Sequence, residues 1–297
     1  MLWVILPLIS TLLWAIGNIL DKFVSTRYIK DPIALAASFG IFSILFNLIL
    51  FLFTGIPNIS IVYWIFAFLA GIFLAYAIIP YIKSLVKEEA SRVVPLWHLS
   101  ALFTLILAVI FLGEILTAKK YIAFALILSG GMIISTKKIK GMFGFSPAMW
   151  LMMFSSLLVS ISDILLKYIY SLQTFFQTFQ VFHLGMSLGF LSLFLSKIAR
   201  KNFAKALKSH KYKFLALVFV SSFFGFIGQI LYGTAILRAP ITLVSVFISF
   251  QSLFVVLLAT FLSFKFPLFI KEAIDFKTIG IKIAAIAIMA FGLVLLV

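Results

Sequence analysis

The chain has 297 residues, of which 64% are hydrophobic and 11% charged, and its mean hydropathy is +1.26. Soluble domains average about 45–50% apolar and about 25% charged residues, and even a large one buries only about three quarters of its unfolded surface. The composition therefore excludes a soluble globular fold and predicts an all-α, multi-pass membrane protein. The lack of cysteine excludes disulfides and thiol chemistry. The net charge of +16 is assigned to headgroup anchoring rather than to nucleic acid, because the basic residues lie between apolar runs.

Ten apolar windows approach the roughly 20 residues that a membrane-spanning helix needs, so ten transmembrane helices are predicted. The first window lacks a basic leader and a clear cleavage site and is interpreted as a retained helix. The longest polar stretch, Lys197–Lys213, is too short and too basic to fold alone. In chain order the windows are Leu2–Leu20, Pro32–Phe53, Ile61–Ile82, Val93–Leu112, Tyr121–Ser135, Pro147–Tyr170, Phe175–Ser196, Phe214–Leu237, Ile241–Phe264 and Thr278–Val297.

A segment of the first predicted helix recurs in the sixth. Ser10–Lys22 aligns with Ser155–Lys167 at an offset of 145, with seven of 13 positions identical. Leucine and isoleucine matches carry little weight in so apolar a chain, but the polar residues also fall in register. Asn18, for example, meets Asp163. Such self-similarity indicates an internal repeat.

A second offset, 151, aligns Tyr81 with Tyr232. The matches at these two offsets indicate that the chain consists of two related halves, residues 1–140 and 141–297, each with five predicted helices. Because five is odd, the second half must enter the bilayer from the opposite side. Two inverted repeats of this kind are typical of secondary transporters, whose substrate sites lie near the midplane between the repeats.

Several short motifs resemble those of the drug/metabolite transporter superfamily, in particular its EamA-type members. They are the Ala90-Ser-Arg-Val-Val-Pro-Leu-Trp97 entry to the fourth helix, the Phe111-Leu-Gly-Glu114 end of that helix, and Gly130-Gly131 in the fifth. Asp31-Pro32 before the second helix also fits. The resemblance extends over essentially the whole chain. It implies a ten-helix carrier of small molecules and leaves the substrate open.

The distribution of lysine and arginine predicts an orientation, because positive loops face the cytoplasm. The odd-numbered connections between predicted helices carry 19 of these residues, and the even-numbered connections carry 4 when Lys167, near the end of the sixth helix, is included. This count favours both termini outside. The resemblance implies both termini inside, and we adopt the charge count as the prediction.

Polar residues inside predicted helices are functional candidates, because they are costly at membrane depth. Ser160, Asp163 and Lys167 share one face of the sixth helix, and Asn18 and Lys22 share the equivalent face of the first. Two related stripes, one per half, are what a shared cavity requires. Asp163 is interpreted either as a substrate or proton-handling residue or as an i,i+4 ion-pair partner of Lys167.

The fourth helix contributes two further candidates. His98 shares a face with small polar residues and aligns with Ser249. It is interpreted as a proton relay or as a histidine bonded to a neighbouring helix, the second being favoured. Glu114 lies at the helix end that the dipole makes unfavourable for an acid, and the resemblance implies a gating or structural role. His183 lacks polar neighbours on its face and is predicted to pack.

The predicted site combines these residues with aromatic and amide side chains, although aromatic residues form 17% of the chain and each could simply pack or face lipid. Asp163 and His98 are the proton-coupling candidates, and Glu114, Lys22 and Lys167 are the gating or structural ones. The predicted substrate-binding residues are Trp14, Asn18, Tyr76, Trp97, His98, Ser160, Asp163, Gln229, Tyr232 and Ser249.

The predicted function is secondary transport of a small organic metabolite, amino acid or amphipathic compound by alternating access across the cell membrane, driven by protons or by the solute gradient. No phosphate-binding glycine loop and no carboxylate cluster for Mg²⁺ occurs in the sequence, so neither enzymatic activity nor a cofactor or metal is expected. A flippase for lipids or lipid-linked sugars, a membrane-embedded transferase and a non-transporting scaffold remain alternatives. The fifth and tenth helices are expected to brace the bundle or contact a second copy in a homodimer.

Overall fold

The computed structural model describes residues 2–87, 93–135, 147–265 and 276–296, and these residues are helical with short connections and no strand. The predicted boundary at residue 140 and the start of the Ala90 motif lie outside them. In chain order the helices are α1 Leu2–Arg27, α2 Pro32–Thr54, α3 Ile61–Lys87, α4 His98–Leu107, α5 Ala118–Ser135, α6 Pro147–Tyr170, α7 Phe175–Ser192, α8 Lys197–Ile236, α9 in two pieces, Ile241–Ser245 and Ser249–Lys265, and α10 Phe276–Leu296.

Seven helices among the described residues are long and apolar enough to cross a membrane. Two shorter apolar helices, His98–Leu112 and Ala284–Leu295, do not reach that length. The prediction of an all-helical, multi-pass membrane protein is therefore confirmed, and the total of ten spans stays a prediction. The spanning segments are Leu2–Arg27, Pro32–Thr54, Ile61–Lys87, Pro147–Tyr170, Phe175–Leu195, Tyr212–Ile236 and Ile241–Ala259.

Helix ends follow local capping chemistry. The Asp31 carboxylate accepts the backbone N–H of Ala34 at 2.6 Å, and Pro32 occupies the first turn of α2, where no backbone donor is needed. The same helix ends at Gly55, whose φ of 69° only glycine adopts readily. These caps limit α2 to the length that its apolar run predicts.

Helices α4 and α9 are irregular where they meet the other helices. A 3-10 turn, Val94–Trp97, precedes α4, and a π-helical turn, Ala108–Leu112, follows it. Another 3-10 turn, Val246–Ile248, joins the two pieces of α9. Turns of this kind release backbone groups from the regular hydrogen-bond pattern and change the direction of side chains. Here they occur on α4, which contacts α6, and on α9, which contacts α1.

Glycines bring α3 and α7 into backbone contact. A Cβ added at Gly71 would collide with the carbonyl oxygen of Phe182, and one at Gly185 would collide with that of Phe68. Close approach of small residues is the usual basis of helix association in membranes, where lipid removes most of the hydrophobic driving force. The pair α5 and α10 packs in a similar way through Gly130, beside Met289.

Helix α8 is longer than its predicted window. It has 40 residues, which at about 1.5 Å per residue amounts to about 60 Å, twice the hydrocarbon thickness of a bilayer. Its spanning part begins at Tyr212. The preceding basic stretch, predicted as a loop, is helical because Ala199, Phe203 and Ala206 give it an inward apolar face, while Lys201 and Lys205 are exposed.

Candidate functional site

A cavity of about 210 Å³ lies between helices from both halves of the chain. Residues of α1, α2 and α3 line it together with residues of α6, α7, α8 and α9 and of the turn before α4. Its wall is mostly apolar and aromatic, with a few polar groups, as is usual for small-molecule sites.

Six of the ten predicted substrate-binding residues lie on this wall, although they come from separate parts of the sequence. Helix α1 contributes two, α8 contributes two, and α6 and the 3-10 turn before α4 contribute one each. They are Trp14, Asn18, Trp97, Asp163, Gln229 and Tyr232.

Two of the remaining four are engaged elsewhere. Tyr76 is 40% exposed, and its hydroxyl lies 3.0 Å from Oγ of Ser192 at the surface of the bundle. Ser160 is fully buried, and its hydroxyl donates to the carbonyl oxygen of Ser100 at 2.8 Å. Ser160 thus ties α6 to α4 behind the cavity wall.

The other two, His98 and Ser249, are also buried off the wall. The Nε2 atom of His98 lies 2.8 Å from Oγ of Ser252 on α9. This geometry matches the interpretation of His98 as a histidine bonded to a neighbouring helix. The Ser249 hydroxyl has no hydrogen-bond partner among the described residues.

The same hydrogen bond occurs once in each half of the chain. The Tyr81 hydroxyl donates to Oδ1 of Asn18 at 2.8 Å, and the Tyr232 hydroxyl donates to Oδ2 of Asp163 at 3.1 Å. The acceptors are 145 residues apart and the donors 151, the two offsets found in the sequence. The two bonds differ in one respect, since one acceptor is an amide and the other a carboxyl group.

A lysine clasp is duplicated at the same offsets. Nζ of Lys22 donates to the carbonyl oxygen of Leu85 at 2.6 Å, and Nζ of Lys167 donates to that of Ile236 at 2.8 Å and that of Ala239 at 2.9 Å. An ammonium group at a helix C-terminus is favourable because it pairs with free carbonyls and the helix dipole. Lys167 therefore closes the end of α8, and the alternative i,i+4 ion pair is not among the interactions of the described residues.

A third duplicated bond crosses between the halves. The Ser10 hydroxyl donates to the carbonyl oxygen of Gly228 at 2.8 Å, and the Ser155 hydroxyl donates to that of Ala77 at 2.5 Å. Again the serines are 145 residues apart and the acceptors 151. Helix α1 thus packs on α8, and α6 packs on α3.

Glu114 caps a helix of the other half. Its carboxylate accepts the backbone N–H of Ile241 at 2.9 Å and that of Thr242 at 3.1 Å, and also the Thr242 hydroxyl at 2.7 Å. A carboxylate at a helix N-terminus satisfies free donors and is favoured by the dipole. The contact joins the end of α4 to the start of α9, close to the carbonyls that Lys167 binds.

Sequence reasoning missed two wall residues that carry ionisable groups. Asp21 lies beyond the first predicted window but well inside α1, and the Ser221 hydroxyl donates to its Oδ1 at 2.6 Å. His183 was expected to pack, yet it lies on the wall with neither ring nitrogen bonded among the described residues. The rings of Phe179 and Phe226 lie 5.8 Å and 4.9 Å from its ring centre.

Several buried polar atoms on the wall have no partner in the described part of the chain. Buried polar groups are normally hydrogen-bonded, so such atoms call for a ligand or water. No group of three or more metal-ligating side chains occurs among the residues described. The unpartnered wall atoms are Asn18 Nδ2, Tyr170 Oη, both His183 ring nitrogens, Ser222 Oγ and Gln229 Oε1.

Comparison with known proteins shows what this chain is similar to. Residues 1–136 match the EamA-like transporter family. A crystal structure of another protein superimposes with a TM-score of 0.62 over 98% of this chain and 94% of its own, at 15% identity, which shows a shared fold. No curated protein matches. The resemblance to EamA-type transporters found in the sequence is thus confirmed by the family model over residues 1–136.

Proposed function

We propose that this protein is a secondary transporter of a small organic solute and that the central cavity is its substrate site. The observation that carries the proposal is the wall itself, where helices of both halves present polar atoms that no described residue satisfies. A non-transporting scaffold has no need of such a cavity, because unfilled space and unpaired polar groups both lower stability. The family match points to transport rather than catalysis.

We further propose that the chain consists of two inverted five-helix repeats, residues 1–140 and 141–297. Three hydrogen bonds occur in duplicate at the offsets 145 and 151. Independent drift of unrelated helices would not reproduce three contacts at the same pair of offsets. Inverted repeats support alternating access, since two nearly equivalent arrangements can open the site to opposite sides.

The two lysine clasps are the proposed structural basis of gating. In inverted repeats, the Lys22 clasp and the Lys167 clasp belong to opposite ends of the bundle. The Lys167 end also has the Glu114 cap. Transport requires a two-state element whose contacts form in one state and break in the other. We assign that role to the contact between Glu114 and α9, with Lys167 holding the end of α8 in place.

The six wall residues that the sequence predicted are the proposed substrate contacts. Asp163 stays the candidate for proton coupling, because its carboxyl group faces the cavity with one hydrogen bond from Tyr232. His98 is buried off the wall against Ser252, which favours its structural interpretation. Transport across the cell membrane, with or without protons, is therefore proposed to depend on the side chain of Asp163 and not on that of His98.

Reconstitution of the full chain in proteoliposomes tests this function. A panel of small organic solutes is offered with and without an imposed pH gradient. We expect accumulation of at least one solute, and Asp163→Asn should abolish the response to the gradient. Tyr76→Phe is the matched control, because its hydroxyl lies off the cavity and it should leave flux unchanged. Absence of flux for every solute, together with a cavity that labels from one side only, would refute transport.

A further inference from the structure

The charge of the cavity wall is opposite to that of the protein. The chain has 24 lysine and arginine residues against 8 aspartate and glutamate residues. Yet no lysine or arginine is among the described wall residues, whereas Asp21 and Asp163 are. The other two described acids, Asp31 and Glu114, cap helices outside the cavity.

Neither wall carboxyl group forms an ion pair within the described part of the chain. Asp21 accepts one hydrogen bond, from Ser221, and Asp163 accepts one, from Tyr232. The neighbouring lysine of Asp163 in the helix, Lys167, directs its ammonium to main-chain carbonyls instead. A buried carboxylate without a counter-charge is costly, so a cation that enters the cavity would offset that cost.

Aromatic rings flank the carboxyl group of Asp163. Tyr232, which donates to it, lies with its ring centre 5.3 Å from that of Trp14. The rings of Tyr81 and Trp97, which also belong to the wall, are likewise 5.3 Å apart. Faces of tyrosine and tryptophan rings attract ammonium groups, most strongly where water is excluded.

We propose that the substrate is an organic cation, a protonated amine or a quaternary ammonium with an apolar or aromatic body. This inference rests on the function proposed above. The ammonium group pairs with Asp163 beside the rings of Tyr232 and Trp14. Oε1 of Gln229, which has no hydrogen-bond partner among the described residues, accepts an N–H from a protonated amine. The apolar remainder of the wall packs against the body of the substrate.

A zwitterionic amino acid is the competing substrate class. Its carboxylate needs a fixed cation or several N–H donors, as carboxylate sites generally provide. The described wall offers no lysine or arginine, and its unpartnered nitrogen atoms belong to the Asn18 amide and to the ring of His183, which packs against the rings of Phe179 and Phe226. Neither residue is a fixed cation, and the carboxyl groups of Asp21 and Asp163 on the same wall disfavour a second carboxylate. The cavity thus favours a ligand with a positive group and no negative one.

Four ligands of nearly equal shape separate the classes: 2-phenylethylamine, phenylalanine, phenylacetate and 2-phenylethanol. Their affinity for the purified full chain is measured by calorimetry. We expect the amine to bind at least tenfold more tightly than the other three. Asp163→Asn should weaken amine binding at least tenfold, whereas Tyr76→Phe should not. Asp163→Glu, which keeps the charge but moves it, should bind the amine more tightly than Asp163→Asn does. Size-exclusion profiles show whether each variant is folded.

The outcomes distinguish this inference from the function on which it rests. Equal or tighter binding of phenylalanine, phenylacetate or phenylethanol overturns the cation inference and leaves a transporter of another solute class. Binding of none of the four ligands, or unchanged amine binding in a folded Asp163→Asn protein, also overturns it. Loss of transport as a function requires the separate result that no solute in the proteoliposome panel crosses the membrane.

Discussion

Removal of the Glu114 cap should shift the protein away from the conformation described here. The carboxylate accepts three hydrogen bonds at the start of α9. Loss of a helix N-cap costs typically about 1 kcal/mol, and loss of a negative charge at a helix N-terminus costs a further 0.3–1 kcal/mol or so. Glu114→Ala should therefore destabilise this state by about 2 kcal/mol. If the other state lacks the contact, the ratio of the two states changes by about 30-fold.

Thiol labelling measures this shift, because the natural chain contains no cysteine. Gly225 lies on the cavity wall, and a Cβ there meets nothing within 4 Å, so Gly225→Cys introduces a reporter without a clash. An impermeant maleimide is applied to each side of sealed vesicles. With Glu114→Ala added, labelling should increase strongly from the side that the cap closes and decrease from the other.

The control for this experiment is Thr26→Ala, which removes a hydroxyl bonded only to carbonyls of its own helix, those of Lys22 and Phe23. It should label like the parent. An unchanged labelling ratio in a folded Glu114→Ala protein would show that the cap is present in both states. The assignment of Glu114 to the gate would then be wrong, and its role would be to hold α9 in all conformations.

Three other changes have defined outcomes. Gly71→Leu should prevent purification of a monodisperse protein in detergent, because the leucine side chain would collide with the Phe182 backbone. Gly225→Ala should be tolerated, because a Cβ there meets nothing within 4 Å. Tyr81→Phe and Tyr232→Phe should each lower stability by about 1 kcal/mol in thermal unfolding, but only the second should weaken amine binding, since only its bond holds a carboxyl group. A reporter fused to the C-terminus should be active outside the cytoplasm, as the charge count predicts; activity only inside would reverse the orientation.

The helix positions could be predicted from the sequence because the bilayer sets one strong constraint, an apolar run of sufficient length. That constraint does not predict where a helix ends once its apolar run is over. Hydropathy therefore ended the first helix at Leu20, although α1 continues to Arg27, and it omitted the basic start of α8. Both errors lie where helical backbone bonds persist beyond the apolar run.

Part of the cavity wall could be predicted from the sequence, and the residues placed wrongly relative to the wall share a physical cause. Register between the two halves identified Asn18 and Asp163, because polar residues are few and their spacing is informative. It could not assign Tyr76, which faces outward, or His183, which faces the cavity. Lipid and helix interfaces are equally apolar, so a 64% hydrophobic sequence does not reveal which face of a helix meets which surroundings.

The duplicated tyrosine bond separates what Asp163 does for the fold from what its charge does. At the matching position Asn18 accepts a hydroxyl at 2.8 Å, so a neutral amide is sufficient for this contact between helices. A carboxyl group at 163 is therefore not required for that contact, and when ionised in a water-poor interior it is costly. The proposed cationic solute would offset that cost, which is the explanation that we propose for a carboxyl group at 163. Asp163→Asn should consequently leave the helix packing intact and remove only the interaction with the solute.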